Sequence, residues 1–212
     1  MLNETQIRLL NLIIENTEFG LTSGPPLGDI YGIQASKPYA IGTNGQYLLG
    51  YELPSLDDVK RLDVRAENIE AKIAKWLDYS EGLAEISFSA LLAWCKKDLY
   101  LKCPCCDGTG ERNIDLGKKF IEGNWIDRFE DIDNGSFAML QGLPISRNLM
   151  IRTLAYLPVQ ERVMIGQIPD VLANKAGQPL LIIRGEGWVY VQCPLNSTPD
   201  EYEKLERFEA AL

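Results

Sequence analysis

The spacing of apolar residues divides the chain into two runs of elements in a similar order. Residues 3–16 are predicted to form an amphipathic helix with Asn3 at its N-cap. The apolar face of this helix comprises Ile7, Leu10, Ile13 and Ile14. Three strands are predicted next, at residues 30–34, 39–42 and 47–53. Between the last two strands, Asn44-Gly45 predicts a tight turn with positive φ at both positions.

The second run of elements lies towards the other end of the chain. It begins with a strand at residues 136–140, followed by a helix that Ser146 caps and that continues to Leu157. The residues expected to be buried on this helix are Leu149, Ile151, Leu154 and Ala155. Three strands are predicted after it, at residues 162–168, 179–183 and 188–192. A helix followed by three strands is therefore expected twice.

Charged segments that are predicted to be helical lie between the two runs and after the second run. Ser55–Trp76 is predicted to be helical, and Ser87 is predicted to cap another helix that leads into a cysteine-rich segment. Thr198-Pro199 opens a predicted acidic helix at the C-terminus. These boundaries define four segments, residues 1–54, 55–134, 135–195 and 196–212. The predicted fold class is α+β.

The cysteine-rich segment, residues 103–110, has the pattern C-x-x-C-x-G-x-G, in which Cys103 and Cys106 are spaced to bind one zinc ion. Zinc needs four ligands, and the chain contains neither histidine nor a second C-x-x-C. The other candidate thiolate ligands are Cys105, Cys95 and Cys193. Zinc is therefore the one cofactor that the sequence suggests. A site completed by a neighbouring subunit and a degenerate remnant without metal are the alternatives.

The composition narrows the class of protein. The 212 residues include 21 basic and 30 acidic residues, and the net charge of −9 argues against general coating of nucleic acid. Five cysteines, three of them within four positions, do not suit a secreted disulfide framework. No signal peptide and no run of membrane-spanning length is recognisable. The sequence predicts a soluble, cytoplasmic protein that does not act in a membrane.

The lack of histidine also restricts the chemistry. Ser-His-Asp triads, Cys-His pairs and histidine-ligated catalytic metals are excluded. Neither a phosphate-binding G-x-x-x-x-G-K-[ST] motif nor a G-x-S-x-G nucleophile elbow occurs. We therefore expect a protein that is not an enzyme, and an enzyme that works without histidine, through carboxylates, lysine or tyrosine, is the third-ranked hypothesis.

Residues 39–49, Tyr-Ala-Ile-Gly-Thr-Asn-Gly-Gln-Tyr-Leu-Leu, resemble the A-T-[DN]-G-H-x-L hairpin of bacterial DNA sliding clamps and clamp-like phage proteins, with Gln46 in place of the histidine. Residues 142–149 and 179–188 look like the helix-plus-hairpin ending of the same proteins. The resemblance implies two βαβββ-like units, with a helical, cysteine-containing insertion between them. Under this resemblance, residues 1–54 and 135–195 are the two clamp-like halves.

The cysteine pattern separately resembles one repeat of the zinc-binding region of J-domain chaperones. A J domain requires a histidine, and this chain has none, so the chaperone assignment is not favoured.

The leading hypothesis that follows from the resemblance is a non-enzymatic clamp-like scaffold or adaptor of nucleic-acid machinery, of phage or mobile-element origin. Clamps hold DNA with basic residues on inward-facing helices. The residues that would contact DNA here are Arg8, Arg147 and Arg152, together with Lys118 and Lys119 near the cysteines. A protein partner in replication or defence machinery is expected. A homo-oligomer is also expected, because one such chain would need further copies to close a ring.

The second hypothesis keeps the fold and assigns it to inhibition of a host system, as an anti-CRISPR or other anti-defence protein of phage type. An acidic surface would then bind a nucleic-acid-processing complex of the host. The candidate partner-binding residues are Trp125, Asp200, Glu203 and Glu206. The simpler alternative is that the acidic C-terminal helix only keeps the protein in solution.

Overall fold

The structure is a computed structural model, and it describes residues 1–15, 28–57, 59–60, 67–96, 137–172, 178–194 and 206–207. The helices in these residues are α1 (Glu4–Glu15), α2 (Glu67–Asp78), α3 (Phe88–Lys96) and α4 (Arg147–Leu154). The strands are β1 (Tyr31–Gln34), β2 (Pro38–Thr43), β3 (Tyr47–Glu52), β4 (Ala84–Ser87), β5 (Phe137–Leu140), β6 (Leu143–Ser146), β7 (Arg162–Ile168), β8 (Leu180–Gly185), β9 (Trp188–Gln192) and β10 (Glu206–Arg207). Among the described helices, none is long and apolar enough to cross a membrane.

The chain divides into two compact units, each made of two segments of the sequence. The first unit comprises Met1–Ser87 and Gln160–Pro194, and the second comprises Phe88–Val159 and Leu195–Leu212. These units do not follow the four segments defined from the sequence, because β7, β8 and β9 share a sheet with the N-terminal strands. The proposed division into clamp-like halves and an insertion remains a prediction.

Seven strands of the first unit form one sheet in the order β1-β2-β3-β9-β8-β7-β4. Every neighbouring pair in it is antiparallel. At its centre β3 pairs with β9, so that Leu49 lies opposite Tyr190. The meander β1–β3 and the meander β7–β9 therefore meet through their third strands. The structure thus combines helices with a mainly antiparallel sheet, in agreement with the predicted α+β class.

The helices α1 and α2 cover opposite faces of this sheet. A Cβ atom added to Gly42 would lie 2.8 Å from the carbonyl oxygen of Leu10 in α1, and one added to Gly50 would lie 2.9 Å from Cδ2 of Leu77 in α2. Gly42 pairs with Leu49, the neighbour of Gly50, so the two glycines face opposite sides of the pleated sheet. The missing side chains allow both helices to approach the strands closely.

The predicted N-terminal helix is confirmed, with a reciprocal cap at its start. The main-chain N–H of Gln6 donates to Oδ1 of Asn3 at 2.9 Å, and the N–H of Asn3 donates to Oε1 of Gln6 at 2.9 Å. The buried residues of α1 are Leu9, Leu10, Ile13 and Ile14. The assignment of Ile7 to the buried face is wrong, because this side chain is 40% exposed and Leu9 takes its place.

The predicted turn between β2 and β3 is in the right place but has a different geometry. Thr43 pairs with Leu48, so residues 44–47 connect the paired ends of the two strands. Gly45 has a φ of +89°, whereas Asn44 is not among the described residues with positive φ. Instead, Oδ1 of Asn44 accepts hydrogen bonds from the main-chain N–H groups of Gln46 (3.0 Å) and Tyr47 (3.1 Å). The asparagine therefore stabilises this turn through its side chain.

The geometry expected at Asn44-Gly45 occurs instead between β5 and β6. Leu140 pairs with Leu143, and the two residues between them, Gln141 and Gly142, have φ values of 52° and 74°. The strand β6 that follows this turn is not among the predicted strands.

The edge strand β4, which pairs with β7, was not predicted either. All the strands that were predicted are present, and their ends lie within two residues of the predicted ends.

The helix predictions fail at several boundaries. In the described residues α2 begins at Glu67 and ends at Asp78, so the predicted helical start at Ser55 is wrong. The cap by Ser146 is confirmed, because its Oγ accepts from the N–H of Leu149 at 3.4 Å. The helix α4 nevertheless ends at Leu154 instead of Leu157, and Ala155 is exposed rather than buried.

The C-terminal prediction is wrong where the structure tests it. Glu206 and Arg207 form the short strand β10 instead of part of a helix, and β10 pairs in parallel with β5. The sheet of the second unit has the order β10-β5-β6. The rest of the predicted acidic helix lies outside the described residues.

Candidate functional site

The predicted DNA-contacting residue on α1 is exposed but already paired. Nη2 of Arg8 lies 2.6 Å from Oε1 of Glu4 one turn earlier, and both side chains are nearly 80% exposed. Besides this pair, α1 carries one further charged residue, Glu15. The helix therefore has two acidic groups and one basic group, and its outer face is not a basic surface of the kind that phosphates require.

The second predicted DNA-contacting residue, Arg147, is part of the core. It is the first residue of α4, and its side chain is fully buried. Its guanidinium carbon lies 5.5 Å from the centre of the Trp94 ring, and its Nη1 donates to the main-chain oxygen of Trp94 at 3.3 Å. The buried side chain links α4 to α3 by a cation–π contact and a hydrogen bond. The prediction that it contacts DNA is corrected, because a phosphate cannot reach it.

The other predicted site residues fall into three groups. Arg152 is half-buried in the last turn of α4. Glu206 belongs to β10, and its side chain is outside what the structure describes. The third group lies outside the described residues and consists of Cys103, Cys105, Cys106, Lys118, Lys119, Trp125, Asp200 and Glu203. The proposed roles of this group remain predictions.

Two cysteines can be placed, and they lie in different units. Cys95 is fully buried in α3. Burial raises the pKa of its thiol to about 12, and the positive charge of Arg147 offsets this only in part. A buried thiol with this pKa keeps its proton at neutral pH, whereas zinc binds the thiolate. Cys193 follows β9 and is half-buried, with its Sγ 3.9 Å from the main-chain oxygen of Gly45.

Within the described ranges, no group of three or more metal-ligating side chains comes together. The pattern C-x-x-C-x-G-x-G lies outside these ranges, so the zinc hypothesis remains a prediction. If Cys95 were one of the zinc ligands, its thiol would release its proton when the metal binds.

The structure reveals one polar network that was not predicted from the sequence. On the α2 face of the sheet, Nζ of Lys37 lies 2.7 Å from Oε2 of Glu52, and the hydroxyl of Tyr39 donates to Oε1 of Glu52 at 3.3 Å. Burial raises the pKa of Tyr39, and Arg184 opposes this shift. Glu52 in turn raises the pKa of Lys37. Tyr39 lies opposite Glu52 in the β2–β3 hairpin and Lys37 comes just before β2, so the hairpin pairing brings the three residues together.

An open cleft of about 450 Å³ lies between the end of β1 and the last turn of α2. Its most tightly held polar group is Asp78. The carboxylate of Asp78 accepts hydrogen bonds from the main-chain N–H of Ser36 at 2.8 and 3.0 Å and from its hydroxyl at 2.5 Å. These contacts fix the β1–β2 connection to α2, and we assign this carboxylate a structural role.

No protein-family model matches the chain, and no curated protein matches it. Among solved structures, the chain is similar to the DNA polymerase sliding clamp from Bacillus subtilis, with 9% identity and a TM-score of 0.41 over 90% of this chain and 63% of that chain. A putative DNA polymerase III beta subunit from Eubacterium rectale gives 10% identity and a TM-score of 0.40 over 90% and 64%. The chain thus spans less than two thirds of either protein. Similarity at this level assigns no role to any residue here.

Proposed function

We propose that this chain is a non-enzymatic, clamp-like scaffold or adaptor of nucleic-acid machinery. The observation that supports it most is the sheet of the first unit, in which two three-stranded meanders meet through β3 and β9. In chain order each meander follows a helix, α1 or α4. This chain order agrees with the helix followed by three strands that the apolar pattern predicts twice.

The hairpin that carries the resemblance lies at a structurally important place. It connects β2 and β3, and β3 is the strand through which the two meanders meet. Asn44 and Gly45 stabilise the turn, which accounts for both residues without a bound ligand. The hairpin therefore supports the proposed architecture, and it does not mark a catalytic or ligand site.

The placement of Arg8 and Arg147 favours contact with proteins over direct contact with DNA. Arg8 is paired with Glu4, Arg147 is buried, and the net charge of the whole chain is −9. A DNA-encircling surface needs several basic groups facing the phosphates. We therefore infer that the adaptor acts mainly by binding protein subunits of the machinery. No observation on the described residues supports the alternative role as an inhibitor of host defence.

A DNA-binding titration tests this inference. Arg8→Glu reverses the most exposed predicted DNA contact, and Arg162→Glu is a matched control on an exposed strand residue that pairs with Glu85. We expect both variants to bind duplex DNA within about twofold of wild type, with equal salt dependence. A selective tenfold loss for Arg8→Glu, with a reduced salt slope, would instead show that α1 contacts phosphates directly.

Native mass spectrometry tests two further parts of the proposal in one spectrum, namely subunit number and bound metal. An oligomer with one zinc per chain would support self-association and a structural site at Cys103 and Cys106. A metal-free monomer would contradict both self-association and zinc binding, and the proposed adaptor would then act as a single chain. Cys103→Ser should abolish any zinc signal, and Cys193→Ser shows whether Cys193 is one of the remaining ligands.

A further inference from the structure

The turn between β2 and β3 contains a pair of residues that is prone to deamidation. Asn44 is followed by Gly45, and the main-chain nitrogen of the residue after an asparagine can attack the carbonyl carbon Cγ of the asparagine side chain. Glycine presents this nitrogen with the least steric hindrance because it has no Cβ. Asparagine is accordingly counted among the thermolabile residues. The turn therefore holds both reacting groups of a spontaneous covalent modification.

In the folded turn both reacting groups are engaged in hydrogen bonds. The main-chain N–H of Gly45 donates to Oγ1 of Thr43 at 3.1 Å, and this hydroxyl donates to the main-chain oxygen of Tyr47 at 2.8 Å. Asn44 is only 4% exposed, and its Oδ1 accepts from the N–H groups of Gln46 and Tyr47. Attack requires the Gly45 nitrogen to lose its proton to a base from solvent. A hydrogen-bonded N–H loses its proton only when the bond opens, so the folded turn opposes the reaction.

The end of β9 holds the same turn from the neighbouring strand. The main-chain N–H of Cys193 donates to the main-chain oxygen of Gln46 at 2.7 Å, and its Sγ lies 3.9 Å from the main-chain oxygen of Gly45. Tyr47, the first residue of β3, pairs with Gln192. Opening of the turn is therefore coupled to the end of the β3–β9 pairing at the centre of the sheet.

We propose that Asn44 is a spontaneous deamidation site that the folded turn protects, and that the reaction proceeds when this end of the β2–β3 hairpin opens. The deprotonated nitrogen of Gly45 forms a bond to Cγ of Asn44, and the bond from Cγ to Nδ2 breaks. The solvent base returns the proton to the departing amine, which leaves as ammonia. Water then opens the succinimide ring, so that one water is consumed for each ammonia released and nothing is oxidised or reduced.

The ring can open at either of its two carbonyl carbons, and the two products differ in their effect on the turn. One product is aspartate, whose carboxylate can accept the same hydrogen bonds from Gln46 and Tyr47 as the amide of Asn44. The other is isoaspartate, in which the main chain runs through Cβ and Cγ and is one carbon longer. Formation of isoaspartate is therefore an irreversible change in the connection between β2 and β3. This inference does not depend on the proposed function.

Peptide mapping of the full chain after incubation in mildly alkaline buffer tests the protection. Mass spectrometry detects replacement of the amide by a carboxylate, and a blocked peptide of residues 42–47 serves as the unprotected reference. Asn44 in the folded wild type should deamidate at least about tenfold more slowly than in the peptide. Equal rates would overturn the proposal, because the turn would then give no protection. This comparison needs no variant, so it does not depend on a substituted chain folding.

Substitutions at Thr43 test whether the turn itself controls the reaction. Thr43→Val removes the hydroxyl and both of its hydrogen bonds, whereas Thr43→Ser keeps the hydroxyl. We expect Asn44 to deamidate about tenfold faster than wild type in Thr43→Val and at the wild-type rate in Thr43→Ser. Asn134, in the other Asn-Gly pair of the sequence, lies outside the described residues and serves as the internal reference for buffer and time.

Arg184→Met is the control for lowered stability away from the turn, because it removes hydrogen bonds from β8 to the carbonyl groups of Leu77 and Tyr79. Asn44 should deamidate in this variant within about twofold of the wild-type rate, since the contacts of the turn are intact. Equal acceleration in Arg184→Met and Thr43→Val would overturn the proposal, because general unfolding would then control the reaction. An unchanged rate in a folded Thr43→Val variant would also overturn it.

Discussion

Nη2 of Arg184, on β8, donates a hydrogen bond to the main-chain carbonyl oxygen of Leu77, in the last turn of α2. The same nitrogen donates to the carbonyl oxygen of Tyr79 at 3.1 Å. The last carbonyl groups of a helix lack partners within the helix, and a positive charge near them also interacts favourably with the helix dipole. Arg184 therefore caps α2 and fixes it to the sheet.

Replacing Arg184 by methionine should destabilise the protein through the loss of this cap. Methionine keeps the apolar part of the side chain but leaves the carbonyl groups of Leu77 and Tyr79 without this donor. We expect a decrease of about 1–3 kcal/mol in the free energy of unfolding, measured by urea denaturation. The matched control is Arg162→Met, which removes a surface pair with Glu85 at 3.3 Å and should cost less than about 1 kcal/mol. Equal effects of the two substitutions would show that Arg184 does not act as a cap.

Gly42→Ala should be destabilising because the added Cβ would lie 2.8 Å from the carbonyl oxygen of Leu10. Main-chain atoms of a helix cannot move aside cheaply, so α1 would have to shift away from the sheet. We expect a loss of about 1–3 kcal/mol in thermal or urea unfolding.

Gly32→Ala is the control for this substitution. Its added Cβ would lie 3.0 Å from Cδ2 of Leu56, the movable end of a side chain. We expect an effect below about 1 kcal/mol, since the side chain can rotate and alanine restricts the unfolded chain. If Gly42→Ala were as mild as Gly32→Ala, the close contact of α1 with β2 would be contradicted.

The buried thiol of Cys95 predicts a loss of stability at alkaline pH. The pKa of this thiol is raised from 9.0 to about 12 in the folded protein. Below pH 9 the thiol is protonated in both states and contributes no pH dependence. Between pH 9 and 12 the unfolded chain loses this proton while the folded protein keeps it, so the free energy of unfolding falls as pH rises. In this pH range the free energy of unfolding decreases by about 1.4 kcal/mol per pH unit.

Cys95→Ala should therefore show a smaller decrease in stability than wild type between pH 8 and 11, by roughly 2 kcal/mol. Tyr51, whose pKa burial also raises to about 12, remains in both proteins and contributes equally. Cys193→Ala is the matched control, because Cys193 is only half-buried. The measurement is urea unfolding at a series of pH values. Parallel pH curves for all three proteins would contradict the assignment.

Local signals in the sequence predicted the local parts of the fold well. Asn3 and Gln6 form their cap within one turn, and Ser146 caps α4 directly. The Asn44-Gly45 turn was placed correctly, but its type was wrong because the side chain of Asn44 supplies the acceptor that the backbone was expected to supply. The strand β4 was missed because only Ile86 of its four residues is buried, which leaves no alternating pattern.

Contacts between distant residues could not be predicted. The central pairing of Leu49 with Tyr190 and the cap from Arg184 to Leu77 each join segments more than one hundred positions apart. The burial of Arg147 was missed for a related reason, since an arginine is expected at the surface unless a partner is known. Here the partner is Trp94, fifty-three positions earlier in the chain.

Affinity capture with and without nuclease treatment tests most directly whether the chain is an adaptor that binds protein subunits of nucleic-acid machinery. The tagged full chain is incubated with an extract of its own source cells, and an unrelated acidic protein of similar net charge serves as the control. We expect specific enrichment of subunits of a DNA polymerase or another nucleic-acid-processing complex, and their retention after nuclease digestion. Recovery of no such subunit, or loss of all of them after digestion, would contradict the proposed role.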